Sequence, residues 1–212
     1  RNENSFHAKY INLEMLAEIL REIVSIIPKG TRLYRARIAK DANGYKLSEM
    51  GAPPDDVASA GRANSKGISC LYLANERKTT IKEIRAGVFD FVTIGTFRVK
   101  QDLKIIDLSM ITHNSPFYAD KDKVKFLLNE KHLRNIEKDL AKPVSKRDSD
   151  LDYLPTQYIS DFAKYLGYDG VKYISTFDRN SYNLALFDTK ICSCTYRKNY
   201  RIDNLDYRLN PV

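Results

Sequence analysis

Residues 61–85, GRANSKGISCLYLANERKTTIKEIR, contain the pattern that decides the fold. A loop rich in Gly, Asn and Ser carries Arg62, and the short apolar run at 68–74 predicts a buried strand. The residues after it predict a helix that carries Glu83. The stretch therefore places a cation (Arg62), an aromatic ring (Tyr72) and a carboxylate (Glu83) on three consecutive elements. A cation, an aromatic ring and one carboxylate are the groups needed to bind a dinucleotide and to cleave a glycosidic bond.

The composition is that of a globular chain with a basic surface. The chain has 212 residues, 43% of them hydrophobic, which is enough for one domain with a real core. The net charge of +8 suits an anionic partner such as a nucleotide, a nucleic acid or an acidic protein. The alternative is a solvated basic surface without a partner, because 29% charged residues is ordinary.

The cysteines and the hydropathy pattern indicate a reduced compartment. Cys70 falls in the predicted buried strand, and Cys192 and Cys194 lack a second ligand pair nearby, so neither a disulfide framework nor a metal site is expected. No apolar run reaches membrane-spanning length, and no signal peptide is visible. We therefore expect a cytoplasmic protein without a bound metal.

The first part of the chain predicts an amphipathic helix followed by a basic strand. Apolar residues at three- and four-residue spacing predict a helix over 13–27, stopped by Pro28 and Gly30. Because the chain begins at Arg1 rather than methionine, we expect a fragment or processed product. We predict an N-terminal helical segment over 1–29, compatible with a remnant of an upstream domain, and a catalytic domain over 30–212.

Residues 32–38 alternate in polarity and predict a strand that carries Arg35 and Arg37 on one face. Two arginines on a strand face are costly to bury unless an anion or a carboxylate meets them. Further strands are expected at 89–100, 103–107, 170–176, 183–188, 191–198 and 200–207, and helices at 124–140 and 155–166. Without a repeat or a long strand–helix alternation, this order favours an α+β fold.

Common cofactor and catalytic motifs are absent from the sequence. It contains no GxGxxG, no GxxxxGK[ST], no GxSxG and no HExxH. The three histidines have no evident partners. Any site must therefore be built from residues outside these motifs.

Four blocks of sequence, taken in order, resemble the RES domain family, the toxins of a class of bacterial toxin–antitoxin pairs. They are LYRAR at 33–37, GRAN at 61–64 with alanine in place of the family's tryptophan, LYLA at 71–74 with Glu83 beyond it, and a closing region from YLPTQ at 153–157 through GYDGV at 167–171 to Ser175 and NLALF at 183–187. The resemblance implies an α+β, ADP-ribosyltransferase-like core of mostly antiparallel strands with flanking helices. It also implies an enzyme that consumes NAD as its substrate.

The resemblance implies phosphate-binding roles for two arginines. Arg35 and Arg62 are expected to meet the pyrophosphate of NAD with forked, charge-assisted bonds. Without the resemblance, either one is equally consistent with a structural ion pair.

Catalytic roles are implied for Glu83 and Tyr72. Glu83 is expected to stabilise the positive charge that develops on the ribose, and Tyr72 to stack on the nicotinamide or ribose. The alternatives are an exposed helix glutamate and a core tyrosine. Ser175 is expected to hydrogen-bond the amide or ribose, or else to form a turn, and Asn183 to support the same cleft.

These inferences favour an NAD glycohydrolase or phosphorylase that acts as a bacterial toxin or defence effector. The first alternative is a protein ADP-ribosyltransferase that uses NAD. A basic nucleic-acid-binding protein or RNase toxin is the second, although direct nucleic-acid binding is not expected, and a non-catalytic module with the same fold is a third. An antitoxin or other neutralising protein is the expected partner.

Overall fold

A computed structural model of the chain describes residues 13–110, 153–175 and 177–205. The helices are α1 (Leu13–Glu22), α2 (Arg77–Glu83) and α3 (Leu154–Tyr165). The strands are β1 (Val24–Ile27), β2 (Arg32–Ala39), β3 (Leu71–Ala74), β4 (Phe91–Val99), β5 (Leu103–Asp107), β6 (Gly170–Ser175), β7 (Asp178–Leu186) and β8 (Cys192–Arg201). The helix predicted at 124–140 lies outside the described residues.

The eight strands form one mixed sheet in the order β1-β5-β6-β7-β3-β2-β4-β8. Every neighbouring pair is antiparallel except β5 and β6, which are parallel. Helices pack against this sheet rather than alternating with its strands. The α+β class and the mostly antiparallel core predicted from the sequence are confirmed.

Between β2 and β3 the sheet is joined by a single pair of residues. All of β2 pairs with β4, and all of β3 pairs with β7, but β2 and β3 share only the pair Tyr34 and Ala74. From Arg35 onward, β2 no longer pairs with β3. Backbone groups that leave a sheet ladder need other partners, so a split of this kind opens the sheet to loops and ligands.

The core lies on both faces of the sheet. Leu20 of α1 and Ala163 of α3 are fully buried on the face that also carries Val171 and Ala185. Cys70 belongs to this cluster, as its predicted place in the core required. The opposite face packs around Phe97 and its neighbours. Burying one large apolar side chain contributes about 1.5–3 kcal/mol, so α1 and α3 are held to the sheet mainly by these contacts.

The prediction of one helix over 13–27 is wrong for its last five residues. The helix ends at Glu22, and Val24–Ile27 forms β1, which pairs antiparallel with β5. Val24, Ile26 and Ile27 are β-branched and fit a pleated surface better than a helix. Part of the segment 1–29 is thus continuous with the sheet of the predicted catalytic domain.

The strand predicted at 191–198 continues without a break to Arg201, so the separate strand predicted at 200–207 is wrong over 202–205, and residues 206–207 lie outside the described residues. β8 runs through Asn199, which pairs with Thr93, and through Tyr200, which pairs with Val92. A bulge opposite Thr96 and Phe97 absorbs the irregularity in the polarity pattern. The strands predicted near β2, β4, β5, β6 and β7 and the helix α3 are confirmed within a few residues.

None of the helices in the described parts of the chain combines the length and the apolar character needed to cross a membrane.

Candidate active site

A cavity of about 350 Å³ lies where β2 and β3 separate. Five of the six predicted site residues line it: Arg35, Arg62, Tyr72, Glu83 and Asn183. They come from β2, the loop before β3, β3 itself, α2 and β7, so the fold brings together residues spread over most of the chain. The sixth, Ser175, is not among the lining residues and lies against Glu83.

Glu83 lies at the C-terminal end of α2, and one of its carboxylate oxygens accepts two hydrogen bonds. Its Oε1 accepts a hydrogen bond of 2.9 Å from Ser175 Oγ and one of 2.7 Å from Asn183 Nδ2. Both donors are buried, whereas Glu83 itself is solvent-exposed. No described residue bonds Oε2. The carboxylate is therefore fixed through one oxygen, and the other is open to a ligand in the cavity.

Ser175 ends β6 and is only 1% exposed. Its Oγ donates to Glu83 and accepts the backbone N–H of Phe177 at 3.2 Å. With both partners inside the protein, this hydroxyl is placed to orient Glu83. The bond from Ser175 to the substrate stays a prediction, because the hydroxyl proton of Ser175 is donated to the carboxylate of Glu83.

Arg35 is a half-buried cation at the split between β2 and β3. Its Nη1 is buried and has no hydrogen-bond partner in the described part of the chain. Burial, and then the nearby charge of Arg37, lower the pKa of Arg35 to about 10. A desolvated guanidinium without a partner is unfavourable alone, and a bound anion would satisfy it.

Arg37 has a different environment from Arg35. Its guanidinium lies 3.9 Å from the ring centre of Tyr45 and donates to the carbonyl oxygen of Glu49. It does not line the cavity. The sequence places both arginines on one strand face, but only Arg35 lies where the sheet splits.

Tyr72 forms a wall of the cavity and also holds the loop before β3. Its hydroxyl donates to Asn64 Oδ1 at 2.6 Å and accepts the N–H of Ala63 at 3.0 Å. Burial raises the pKa of Tyr72 well above its usual value, so the phenol stays neutral. At Gly61 a Cβ atom would lie 2.6 Å from the Tyr72 hydroxyl, and only glycine fits there.

Several cavity residues were missed by sequence reasoning. They are Tyr34, Thr80, Tyr153 and Tyr173, among others. Tyr173 on β6 pairs with Asn183 on β7, and Asn183 pairs with Ala74 on β3. Ala74 in turn pairs with Tyr34 on β2, so these four residues form one row across the sheet. Burial raises the pKa of Tyr173, and Glu83 raises it further.

The missed tyrosines had weak sequence signals. Tyr34 directly precedes Arg35, and Tyr173 lies two residues before Ser175 on the same strand face. Either could be selected by proximity to a predicted site residue. Their convergence, however, depends on the pairing of strands far apart in the chain.

The site combines cations, aromatic rings and one carboxylate. Among the described residues no group of three or more His, Cys, Asp or Glu could hold a metal ion. Arg35 and Arg62 suit phosphate groups, the tyrosines suit planar rings, and Glu83 suits a developing positive charge. This set of groups fits an anionic ligand that carries a sugar and a ring.

Comparison with known proteins supports both the family and the fold. The sequence matches the family model described as RES domain over residues 32–210. A chain of the Mycobacterium tuberculosis MbcT–MbcA toxin–antitoxin complex has a similar structure, with a TM-score of 0.55 and 15% identity, covering 90% of this chain and 94% of that one. No curated protein sequence matches the chain.

Proposed function

The chain belongs to the RES domain family, and from this premise we propose that it is an enzyme that consumes NAD by cleaving the bond between nicotinamide and ribose. The observation that carries the proposal is that two groups line the same cavity: the half-buried Arg35, whose Nη1 is buried and has no hydrogen-bond partner among the described residues, and the carboxylate of Glu83, which is held through one oxygen. NAD needs both groups, because it carries a pyrophosphate and a ribose that becomes positively charged when nicotinamide leaves.

The cationic side of the cavity would receive the pyrophosphate. Arg35 has a free buried donor, and Arg62 lines the same cavity next to Tyr72 and Tyr173. Bonds between a guanidinium and phosphate oxygens are charge-assisted, and they are strengthened where water is excluded. Binding would remove the desolvation cost that Arg35 carries in the free protein.

Glu83 would act on the ribose. Cleavage of the N-glycosidic bond gives a sugar with oxocarbenium character, as in glycoside hydrolysis. A carboxylate fixed by Ser175 and Asn183 needs no reorganisation to stabilise that charge. Pyridinium nicotinamide leaves as a neutral ring, so the leaving group requires no proton and one carboxylate suffices.

The acceptor of ADP-ribose determines the reaction type. Attack by water at the anomeric carbon would give ADP-ribose and release one proton, as in a glycohydrolase. Attack by phosphate would give phosphorylated ADP-ribose, as in a phosphorylase. A nucleophilic side chain would give a protein ADP-ribosyltransferase. We favour water or phosphate as the acceptor, because both are small enough to enter a cavity of about 350 Å³.

The biological setting that we propose is a bacterial toxin restrained by an antitoxin. The family resemblance supports it, as does the structural likeness to a chain of the MbcT–MbcA toxin–antitoxin complex. A net charge of +8 would favour an acidic neutralising protein.

Mass spectrometry of the reaction products tests this function and identifies the acceptor. The purified chain would be incubated with NAD in buffers with and without phosphate. We expect nicotinamide in equal amount to ADP-ribose, or to its phosphorylated form when phosphate is required. A mass increase of the protein itself would indicate a transferase. NAD left intact at high enzyme concentration, in both buffers, would overturn the proposal.

A further inference from the structure

We propose that Gln157 is a positioning residue that fixes the loop carrying Arg62 for substrate binding. This inference rests on the proposed function, since it assigns to Gln157 a part in binding the same substrate. Gln157 lies in the first turn of α3 and does not line the cavity. Its effect would therefore pass entirely through the loop.

The side chain of Gln157 spans the loop on both sides of Arg62. Its Nε2 donates to the carbonyl oxygen of Gly61 at 2.8 Å and to that of Asn64 at 3.0 Å. Its Oε1 accepts a hydrogen bond of 3.3 Å from Ser65 Oγ. The side chain is 5% exposed, so each of these polar atoms is used inside the protein.

A second residue of α3 holds Arg62 directly. Thr156 is fully buried, and its Oγ1 lies 2.6 Å from the carbonyl oxygen of Arg62 and 2.9 Å from that of Tyr153, so its one hydroxyl proton is shared between these two acceptors. Thr156 and Gln157 are thus adjacent in sequence and bind three of the four carbonyls between Gly61 and Asn64. The N-terminal turn of α3 acts as a template for this part of the loop.

The other side of the loop is held by β3. Asn64 Oδ1 accepts from the Tyr72 hydroxyl, and Asn64 Nδ2 lies within 3.1 Å of the carbonyl oxygens of Ser59, Ser65 and Ile68. Gly61 and Asn64 also bond each other through their backbones. The loop is clamped between α3 and β3, whereas loops in general are mobile.

A fixed loop matters because arginine is a flexible side chain. Each rotamer-rich side chain immobilised on binding costs about 0.5–1.5 kcal/mol, and a mobile backbone adds to this cost. Because Gln157 and Thr156 fix the backbone of Arg62 in the free protein, the entropy of that backbone is lost on folding and does not weaken substrate binding. Loss of the clamp should weaken binding more than it slows the chemical step at Glu83.

The test uses two nearly isosteric variants of the full chain. Gln157→Glu replaces a double donor by a carboxylate that faces two carbonyl oxygens, and Thr156→Val removes the donor to Arg62. We expect each to raise the KM for NAD by about tenfold, equivalent to about 1.4 kcal/mol, with kcat changed less than about twofold. If Gln157→Glu does not fold, the KM and kcat of Thr156→Val still test the inference.

Thr93→Val serves as the matched control. Thr93 is fully buried and donates to Asn199 Oδ1 at 2.9 Å, but it does not line the cavity. It should lower stability and leave KM unchanged. Amide hydrogen exchange at Gly61 and Asn64 provides a readout without turnover, and we expect faster exchange in both test variants.

The outcomes separate this inference from the proposed function. Wild-type protein that releases no nicotinamide would refute the function, while unchanged exchange at Gly61 and Asn64 would still refute the clamp. Active wild-type protein together with folded variants of unchanged KM would refute the role of Gln157 alone. A fall in kcat with constant KM would also contradict it.

Discussion

Ser175 donates a hydrogen bond of 2.9 Å to Glu83 across a separation of 92 residues in the chain. The bond joins the end of β6 to the end of α2, and Asn183 on β7 donates to the same carboxylate oxygen. Two buried donors thus determine the direction of Glu83, the one carboxylate among the described residues that line the cavity. Its orientation depends on the packing of α2 against the sheet.

Replacing Ser175 with alanine should slow turnover without weakening binding. Hydrogen bonds to charged groups contribute about 1.5–3 kcal/mol, so Ser175→Ala should lower kcat by about tenfold or more and leave KM nearly unchanged. Ser181→Ala is the control, since Ser181 is also buried and donates to a carboxylate, that of Asp178. A raised KM with constant kcat would instead mean that Ser175 binds the substrate directly.

Replacing Arg35 with methionine should weaken NAD binding while leaving the fold at least as stable. Burial lowers the pKa of Arg35 from its ordinary value to about 10, so the folded protein holds this proton less tightly than the unfolded chain does. The charged side chain therefore costs stability below about pH 10, and the cost declines as pH rises above that value. We expect KM to rise more than about tenfold.

The measurement combines urea unfolding at neutral pH with steady-state kinetics. Arg37→Met is the comparison, because Arg37 stacks on Tyr45 and donates to the Glu49 carbonyl outside the cavity. It should lose stability and keep its KM. If Arg35→Met were strongly destabilised and bound NAD normally, Arg35 would be a structural residue.

Replacing Tyr72 with phenylalanine keeps the ring but removes the hydroxyl that joins Asn64 to Ala63. Leaving buried groups unpaired costs about 1–3 kcal/mol, so Tyr72→Phe should lower the free energy of unfolding by about this amount. KM should rise several-fold as the loop of Arg62 loosens, with little change in kcat. A loss of kcat at constant KM would assign the hydroxyl to the chemical step.

The same variant has a predicted signature at alkaline pH. Because burial raises the pKa of Tyr72 above 10, the folded state retains this proton longer than the unfolded chain. Its contribution to stability is complete below about pH 10 and is lost as pH rises through the folded-state pKa. Tyr72→Phe should therefore show a shallower fall of unfolding free energy above pH 10, measured by denaturant unfolding across that range.

Local patterns predicted most elements of the fold but not their boundaries. Alternating polarity predicts β2, but the buried positions of the strand do not alternate: Leu33 and Ala36 are buried, whereas Ile38 is 42% exposed. At Val24–Ile27 the spacing of apolar residues fits a helix as well as a strand, and pairing with β5 decides between them. The continuity of β8 likewise comes from pairing with β4, which no local pattern contains.

The site shows the same limit. The resemblance selected Arg35, Arg62, Tyr72, Glu83 and Asn183, and all of them line one cavity. It did not separate contact with the substrate from support of another residue: Ser175 donates a hydrogen bond to Glu83, and its bond to the substrate stays a prediction. The row of Tyr173, Asn183 and Tyr34 requires the register of four strands, which arises only when the sheet forms.

The rate of nicotinamide release by the wild-type chain and by Glu83→Gln tests the central claim most directly. Glutamine keeps the size of Glu83 and an oxygen for Ser175, but it lacks the negative charge that stabilises the ribose. We expect wild-type protein to release nicotinamide, Glu76→Gln to match it as a control at the exposed N-cap glutamate of the same helix, and Glu83→Gln to be slower by about 100-fold or more. Release by Glu83→Gln at the wild-type rate, or no release by the wild-type protein, would contradict the account.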